Sequence, residues 1–338
     1  MPLLHRIREL IPGLVVTIAV AVAAILLERV EVAEFGRPWL EALVIAILLG
    51  AAVSAATGLR PAWGPGVRFA ARTILEIAIV LLGASVSLGA ILGAGWELVV
   101  AIVTVVMLAL AAGYLIGRAL GLSPELATLV ACGNAICGNS AIMAAAPMIE
   151  ADADDVAASV AFTAVLGVVV VLVLPLAVFR FGMAERTFGI LAGMTVYAVP
   201  QVLAATAPVG PLAMQVGTLV KLVRVLMLGP VILVLGRSFG RRAARPPMHH
   251  LVPWFILGFL AMMALRSLDL LPQAILAPAA SLSSALAVVA MAALGLVVDV
   301  AGVARAGGRV LGAGILSLLA LAAIGCGALA LLRLGGGV

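Results

Sequence analysis

The stretch Leu129-Val-Ala-Cys-Gly-Asn-Ala-Ile-Cys-Gly-Asn-Ser-Ala-Ile-Met143 places two Gly-Asn pairs and a serine inside an apolar run. Glycines let a helix break, and asparagine and serine side chains can bond the backbone groups that a break frees. A broken helix presents a positive N-terminus inside a membrane, where an anion can bind. The alternative is close packing between helices, which the same residue types favour. The candidate binding residues in this stretch are Asn134, Cys137, Gly138, Asn139 and Ser140.

The rest of the chain is strongly apolar. Of its 338 residues, 65% are hydrophobic and only 10% are charged, and the mean hydropathy is +1.32. A water-soluble domain of this length could not bury so many apolar side chains, so most of the surface must face lipid. The composition predicts an all-α polytopic membrane protein in which residues 1–338 form a single transmembrane transport domain.

Apolar runs long enough to cross about 30 Å of hydrocarbon recur from end to end. We expect about eleven spans, near residues 11–28, 39–57, 70–93, 97–117, 124–148, 156–178, 187–206, 212–236, 251–267, 275–298 and 310–333. No small-residue cleavage site follows the first run, which favours a retained helix over a signal peptide.

The basic residues lie mostly between these runs. They are scattered and are not interleaved with aromatic residues, so the net charge of +5 does not indicate nucleic acid as a partner. If the spans alternate from a cytoplasmic N-terminus, most arginines fall on the cytoplasmic side, including the cluster Arg237, Arg241, Arg242 and Arg245. This distribution predicts that the C-terminus lies outside.

An odd first span followed by two groups of five would make the second group an inverted copy of the first. On this hypothesis residues 11–28 are an extra helix, 39–178 are repeat one and 187–333 are repeat two. Chance similarity between apolar segments is the other explanation. Two pairs of similar segments support the duplication. They are Ala46–Gly50 with Gly189–Gly193, and Ile79–Gly83 with Val225–Gly229. The duplication also predicts that the tenth span, which contains Pro278, breaks as the fifth does.

Two cations lie near the middle of the eighth span. Lys221 and Arg224 are three residues apart and therefore share a helix face. Burying them costs several kcal/mol unless a counter-charge, backbone carbonyls or water meet them. Lys221 is the only lysine in a chain rich in arginine, which favours a role for a compact ammonium. Snorkelling of both side chains to the membrane surface is the alternative.

Other polar residues also fall inside predicted spans. Glu76 could pair with Lys221 or Arg224, carry a proton, or meet Arg72 one turn away at the membrane surface, and we favour the last interpretation. Further candidate binding residues are Gln201, Ser281, Ser283 and Ser284.

Nothing in the sequence indicates an enzyme. The three cysteines lie in apolar segments, so neither a disulfide framework nor a zinc site is expected. The chain has no phosphate-binding Gly-rich loop, no His-Glu-x-x-His motif and no paired intramembrane aspartates. We therefore expect no cofactor and no bound metal.

The segment Cys137-Gly-Asn-Ser-Ala-Ile142 resembles the signature of the YeiH-type family of bacterial membrane proteins, which are described as sulfate exporters. The similarity continues in family order through Gln201-Val-Leu-Ala-Ala205, Lys221-Leu-Val-Arg224 with Leu228-Gly-Pro230, and Ala290-Met-Ala-Ala-Leu-Gly-Leu296. The resemblance implies the sodium–proton antiporter and bile-acid symporter superfamily, with an inverted repeat, two crossing broken helices and a scaffold around a transport core. Where the family usually has a His before the Gln, this chain has Tyr197, so no proton-coupling role of that His carries over.

Together these features predict a secondary transporter of a small anion, such as sulfate, a sulfonate or a related oxyanion, that works by alternating access. The rivals of the same fold are a sodium-coupled organic anion symporter and a cation–proton antiporter with Lys221 as ion partner and Glu76 as proton carrier. We expect the inner membrane of a bacterial cell as the location. The expected partners are the lipid bilayer, the anion and a coupling proton or sodium ion, and a homodimer is compatible with the sequence.

Overall fold

The computed structural model describes residues 2–35, 41–58, 60–85, 95–238, 254–298 and 307–334. These residues form helices and short connections, with no β-strand among them. The α-helices are α1 Pro2–Phe35, α2 Ala42–Thr57, α3 Gly64–Phe69, α4 Leu75–Gly83, α5 Gly95–Ala119, α6 Pro124–Cys132, α7 Asn139–Ile149, α8 Ala153–Val173, α9 Leu176–Phe181, α10 Glu185–Thr195, α11 Val199–Thr206, α12 Pro211–Leu226, α13 Leu228–Ser238, α14 Trp254–Ser267, α15 Gln273–Val297 and α16 Gly308–Leu334. Two π-helical turns, Ala70–Ile74 and Gly133–Cys137, continue α3 and α6.

The helices confirm a multi-pass, all-α membrane protein. Six stretches are long and apolar enough to cross a bilayer: Arg8–Glu34, Trp96–Ala119, Ala153–Val178, Pro211–Gly236, Gln273–Val297 and Gly308–Leu332. The other five predicted spans contain shorter helices or helix pairs, so their assignment as spans and the inverted repeat stay predictions.

Some residues for which the sequence analysis made predictions are not among the described residues. Arg241, Arg242 and Arg245 of the basic cluster lie outside the described residues, as do parts of the predicted spans near 39–57, 70–93 and 251–267. The orientation of the two termini therefore stays a prediction.

One compact unit consists of residues 1–88, 203–208 and 255–299. Glycines let its helices approach closely, as is common between membrane helices. Gly13 of α1 faces Gly66 of α3, and a Cβ on either glycine would collide with the opposing backbone. Gly50 of α2 and Gly295 of α15 form the same kind of contact. The unit is thus packed backbone against backbone at two points.

The second compact unit consists of residues 89–202, 209–254 and 300–338. Here Gly193 of α10 lies against α12, where a Cβ would come 2.5 Å from Gly217 O. Gly113 of α5 lies against Ala131 of α6. These contacts join α10 to α12 and α5 to α6. The polar residues of the candidate site lie on or directly after α6, α10 and α12.

The prediction that the tenth span breaks is wrong. Helix α15 continues from Gln273 to Val297 although Pro278 lies within it. A proline removes only one backbone hydrogen bond from a helix, and the close packing of α15 on α2 supports the remainder. The second interruption lies instead in the seventh predicted span.

Candidate functional site

The first interruption lies in the fifth predicted span and confirms the break expected there. Helix α6 begins after Ser123, whose side chain accepts the Leu126 N–H at 3.1 Å. It continues through the π-helical turn Gly133–Cys137 and ends at Gly138, where φ is 67° and ψ is −129°. Glycine adopts this conformation without a Cβ penalty. Helix α7 then begins at Asn139.

The second interruption separates α10 from α11. Thr195 ends α10 and Val196 is extended, with φ −69° and ψ 146°. Pro200 occupies the second position of α11, where its missing N–H costs no intrahelical bond. Gln201 Oε1 accepts the Ala198 N–H at 3.2 Å, which is half of a capping box. Gln201 therefore positions the start of α11.

Lys221 of α12 bonds the ends of both interrupted helices. Its side chain is fully buried. The ammonium donates to Ile136 O at 2.6 Å, in the π-helical turn, and to Val196 O at 2.8 Å, at the end of α10. An ammonium has three N–H donors, so one of them has no partner among the described residues.

Arg224 bonds the same two helix ends, one turn further along α12. It is also fully buried. Its Nε and Nη2 donate to Ala135 O, and Nη2 also donates to Asn134 O at 3.0 Å. Nη1 donates to Gly193 O at 2.9 Å and Val196 O at 3.3 Å. These five contacts match the five N–H groups of a guanidinium, so Arg224 is saturated.

The two cations give this interior a positive excess. A helix C-terminus carries about −0.5 of an elementary charge, so two such ends offset about half of the two positive charges. Within the described part of the chain, all hydrogen bonds of Lys221 and Arg224 go to carbonyl oxygens, and neither cation forms an ion pair with a carboxylate. In a low-dielectric interior this excess favours a bound anion.

Several buried polar atoms in this unit have no hydrogen-bond partner among the residues that the structure describes. They are Asn134 Oδ1, Ser159 Oγ, Tyr197 OH, Thr218 Oγ1 and Ser317 Oγ. The Asn134 amide is oriented by its Nδ2, which donates to Gly314 O at 3.0 Å. A buried polar atom without a partner costs about 1–3 kcal/mol, so each of these atoms favours a molecule that can bond to it.

The remaining residues selected in the Gly-Asn stretch take different positions. Cys137 is buried and follows Ile136, whose carbonyl accepts the Lys221 ammonium. Asn139 Oδ1 accepts a hydrogen bond from the Thr163 hydroxyl at 2.5 Å. Ser140 is exposed. Of the stretch, Asn134 to Cys137 therefore lies closest to the cations.

The other selected residues belong to the first compact unit. Ser283 donates to Ala78 O at 2.7 Å, whereas Ser281 and Ser284 are exposed. Glu76 pairs with Arg72 at 3.5 Å across one helical turn, as expected, and its position at the membrane surface stays a prediction. A proton-carrying role for Glu76 stays a prediction.

The sequence analysis missed three features of the site. It did not select Thr218, it treated Tyr197 only as a departure from the family pattern, and it did not expect the break after Thr195. A signal for that break is present, since Pro200 and Gln201 stand two and three residues after Ala198. This spacing is typical of a helix start.

Comparison with known proteins places the chain in a family. The sequence profile described as "Conserved hypothetical protein 698" matches residues 12–314. A UPF0324 membrane protein of Brucella melitensis is 56% identical over 324 residues, which cover 95% of this chain and 91% of the relative. A UPF0324 membrane protein of Agrobacterium fabrum is 52% identical, with 96% and 94% covered, and one of Bacillus cereus is 33% identical, with 93% and 92% covered.

No solved structure matches the chain at a significant level. The profile spans most of the sequence, and the relatives align over nearly their whole lengths. The chain therefore belongs to the UPF0324 family of conserved bacterial membrane proteins.

Proposed function

We propose that this protein is a secondary transporter of a small oxyanion, such as sulfate or a sulfonate, in the inner membrane of a bacterium. The observation that carries the proposal is the pair of fully buried cations, Lys221 and Arg224, whose partners among the described residues are backbone carbonyls alone. Placing an anion beside them relieves the electrostatic cost of their burial.

The two cations have different roles in this proposal. Arg224 has no donor left and holds the interrupted helices together, whereas Lys221 keeps one N–H for the anion. The break at Gly138 also begins α7 directly after the π-helical turn whose carbonyls bond both cations, so the positive N-terminus of α7 follows that turn. Interrupted helices around a binding site are typical of transporters that expose the site alternately to each side.

The test is anion uptake into proteoliposomes that contain the purified protein. With an outward sulfate gradient, we expect the wild type to exchange labelled sulfate well above empty liposomes. Lys221→Met should reduce the rate at least about tenfold, because the N–H group that bonds the anion is removed. Arg72→Met is the control, since this arginine is 84% exposed and should leave uptake unchanged.

Two results would overturn the proposal. One is wild-type uptake of sulfate, methanesulfonate and nitrate no faster than in empty liposomes. The other is unchanged uptake by folded Lys221→Met protein, with folding checked by thermal unfolding. Proton flux driven by a sodium gradient without any anion would instead support the cation–proton antiporter, in which Lys221 is the ion partner.

A further inference from the structure

Thr218 lies in α12 one turn before Lys221 and is fully buried, and its hydroxyl has no hydrogen-bond partner within the described parts of the chain. Five threonines in other helices of the described chain donate to the carbonyl four residues earlier. These are Thr17, Thr57, Thr104, Thr128 and Thr195. Thr218 makes no such bond to Met214 O. Its hydroxyl is therefore available to another molecule.

Helix geometry places the Lys221 side chain and the Thr218 hydroxyl on the same face of α12. Residues three apart are neighbours on a helix. A long side chain in a helix leans towards the N-terminus, so the Lys221 side chain covers the turn that contains Thr218. The third N–H of Lys221 and the hydroxyl of Thr218 are thus two unused donors on neighbouring positions of one helix face.

Tyr197 has a third unused donor and follows a residue whose carbonyl bonds both cations. It follows Val196, whose carbonyl accepts the Lys221 ammonium at 2.8 Å. Val196 O also accepts Arg224 Nη1 at 3.3 Å. The Tyr197 hydroxyl is buried and has no hydrogen-bond partner among the described residues. The side chain also packs on the first interruption, because a Cβ on Gly138 would lie 3.4 Å from Tyr197 Cβ.

We propose that the Lys221 ammonium, the Thr218 hydroxyl and the Tyr197 hydroxyl bond the oxygens of the transported anion. This inference rests on the proposed function and assigns its contacts. All three groups can donate a hydrogen bond, so together they suit an anion with at least three accepting oxygens, such as sulfate or a sulfonate. Arg224 is then a positioning residue, which acts by holding the helix ends that carry Tyr197 and Asn134.

Thr218→Val and Tyr197→Phe test the assignment, because each removes one unused hydroxyl and keeps the shape of the side chain. Without ligand, neither variant should melt below the wild type, since no hydrogen bond is lost. Sulfate or methanesulfonate should raise the melting temperature of the wild type in a concentration-dependent way. Each variant should need about tenfold more anion for the same shift, as expected for loss of one hydrogen bond to a charged group.

Matched controls separate binding from packing. Thr17 is equally buried, but its hydroxyl donates to Gly13 O at 2.8 Å. Thr17→Val should therefore lower the ligand-free melting temperature and leave the anion dependence unchanged. Tyr114→Phe alters a partly exposed tyrosine and should change neither quantity.

The outcomes are distinguishable. Wild-type anion affinity in either Thr218→Val or Tyr197→Phe overturns the assignment and leaves the proposed function standing. A ligand-free melting temperature lowered as in Thr17→Val also overturns it, because the hydroxyl would then be structural. If no oxyanion shifts the wild type, the proposed function falls together with the assignment.

Discussion

Arg224 donates to the carbonyl oxygen of Ala135 from two nitrogens, with Nε at 3.2 Å and Nη2 at 2.8 Å. Its Nη1 simultaneously reaches Gly193 O in the other interrupted helix. One guanidinium thus satisfies carbonyl groups that both interruptions leave without helical partners. This explains how a saturated cation is retained in an apolar interior, and it makes Arg224 a structural link between α10 and the π-helical turn after α6.

Replacing Arg224 should destabilise the protein strongly. Arg224→Met leaves several buried carbonyls without donors, and we expect a loss of about 3–5 kcal/mol, as for breaking other buried charged networks. Arg224→Lys should be intermediate, because an ammonium has three donors for the five contacts. Thermal unfolding in detergent measures both. Exposed Arg72→Met is the comparison, and equal stability of Arg224→Met and Arg72→Met would contradict the structural role.

Gly138→Ala should lower the stability of the protein more than the same substitution at another glycine with positive φ. At Gly138 the combination of φ 67° and ψ −129° is open to glycine and strained for other residues, by about 2–3 kcal/mol. At Gly182, φ 61° and ψ 37° are the ordinary left-handed region, where alanine costs about 1 kcal/mol. Melting temperatures of the two variants check the order. A larger drop for Gly182→Ala would show that the break does not depend on this conformation.

Gly295→Ala should loosen the packing of α15 on α2. The added Cβ would collide with Ile47 O, a backbone atom that cannot turn away, so the helices must separate. Overpacking of this kind typically costs about 1–3 kcal/mol. Gly312→Ala is the matched control, since a Cβ there meets no heavy atom within 4 Å. The prediction fails if both variants unfold at the same temperature.

Gly167 and Gln201 should behave as a coupled pair. A Cβ on Gly167 would overlap the Gln201 amide, so Gly167→Ala should displace this side chain from the Ala198 N–H. With Gln201 already changed to Ala, the same substitution should cost little. A double-mutant cycle of unfolding free energies should give a coupling of at least about 1 kcal/mol. Additive effects would mean that Gln201 does not occupy the space beside Gly167.

The membrane class and the first interruption could be predicted because both depend on local properties of the chain. Apolar runs must be helical in lipid, where every backbone group needs an internal partner. The Gly133–Gly138 stretch identified the place where a helix could end. The same reasoning failed for Pro278, since a single proline does not break a helix whose other bonds and packing are intact.

The placement of the candidate binding residues was only partly predictable. Lys221 and Arg224 could be recognised as buried because they interrupt an apolar run. The groups that accept their hydrogen bonds could not be predicted from the sequence. The structure shows that they are backbone carbonyls. Ser281 and Ser284 had the same polar character as Ser283 in sequence, yet they are exposed while Ser283 is buried.

By itself, the sequence determined that the chain is an all-helical membrane protein, where one of its helices breaks, and which two cations would have to be buried. Hydropathy and glycine conformation act within one segment, so they can be read from it directly. The tertiary structure alone decided which groups form hydrogen bonds with those cations, because Lys221 bonds carbonyls 85 and 25 residues away in sequence. It also decided that Thr218 and Tyr197 have hydroxyls without a partner in the described structure, since whether a buried hydroxyl finds a partner depends on packing between helices.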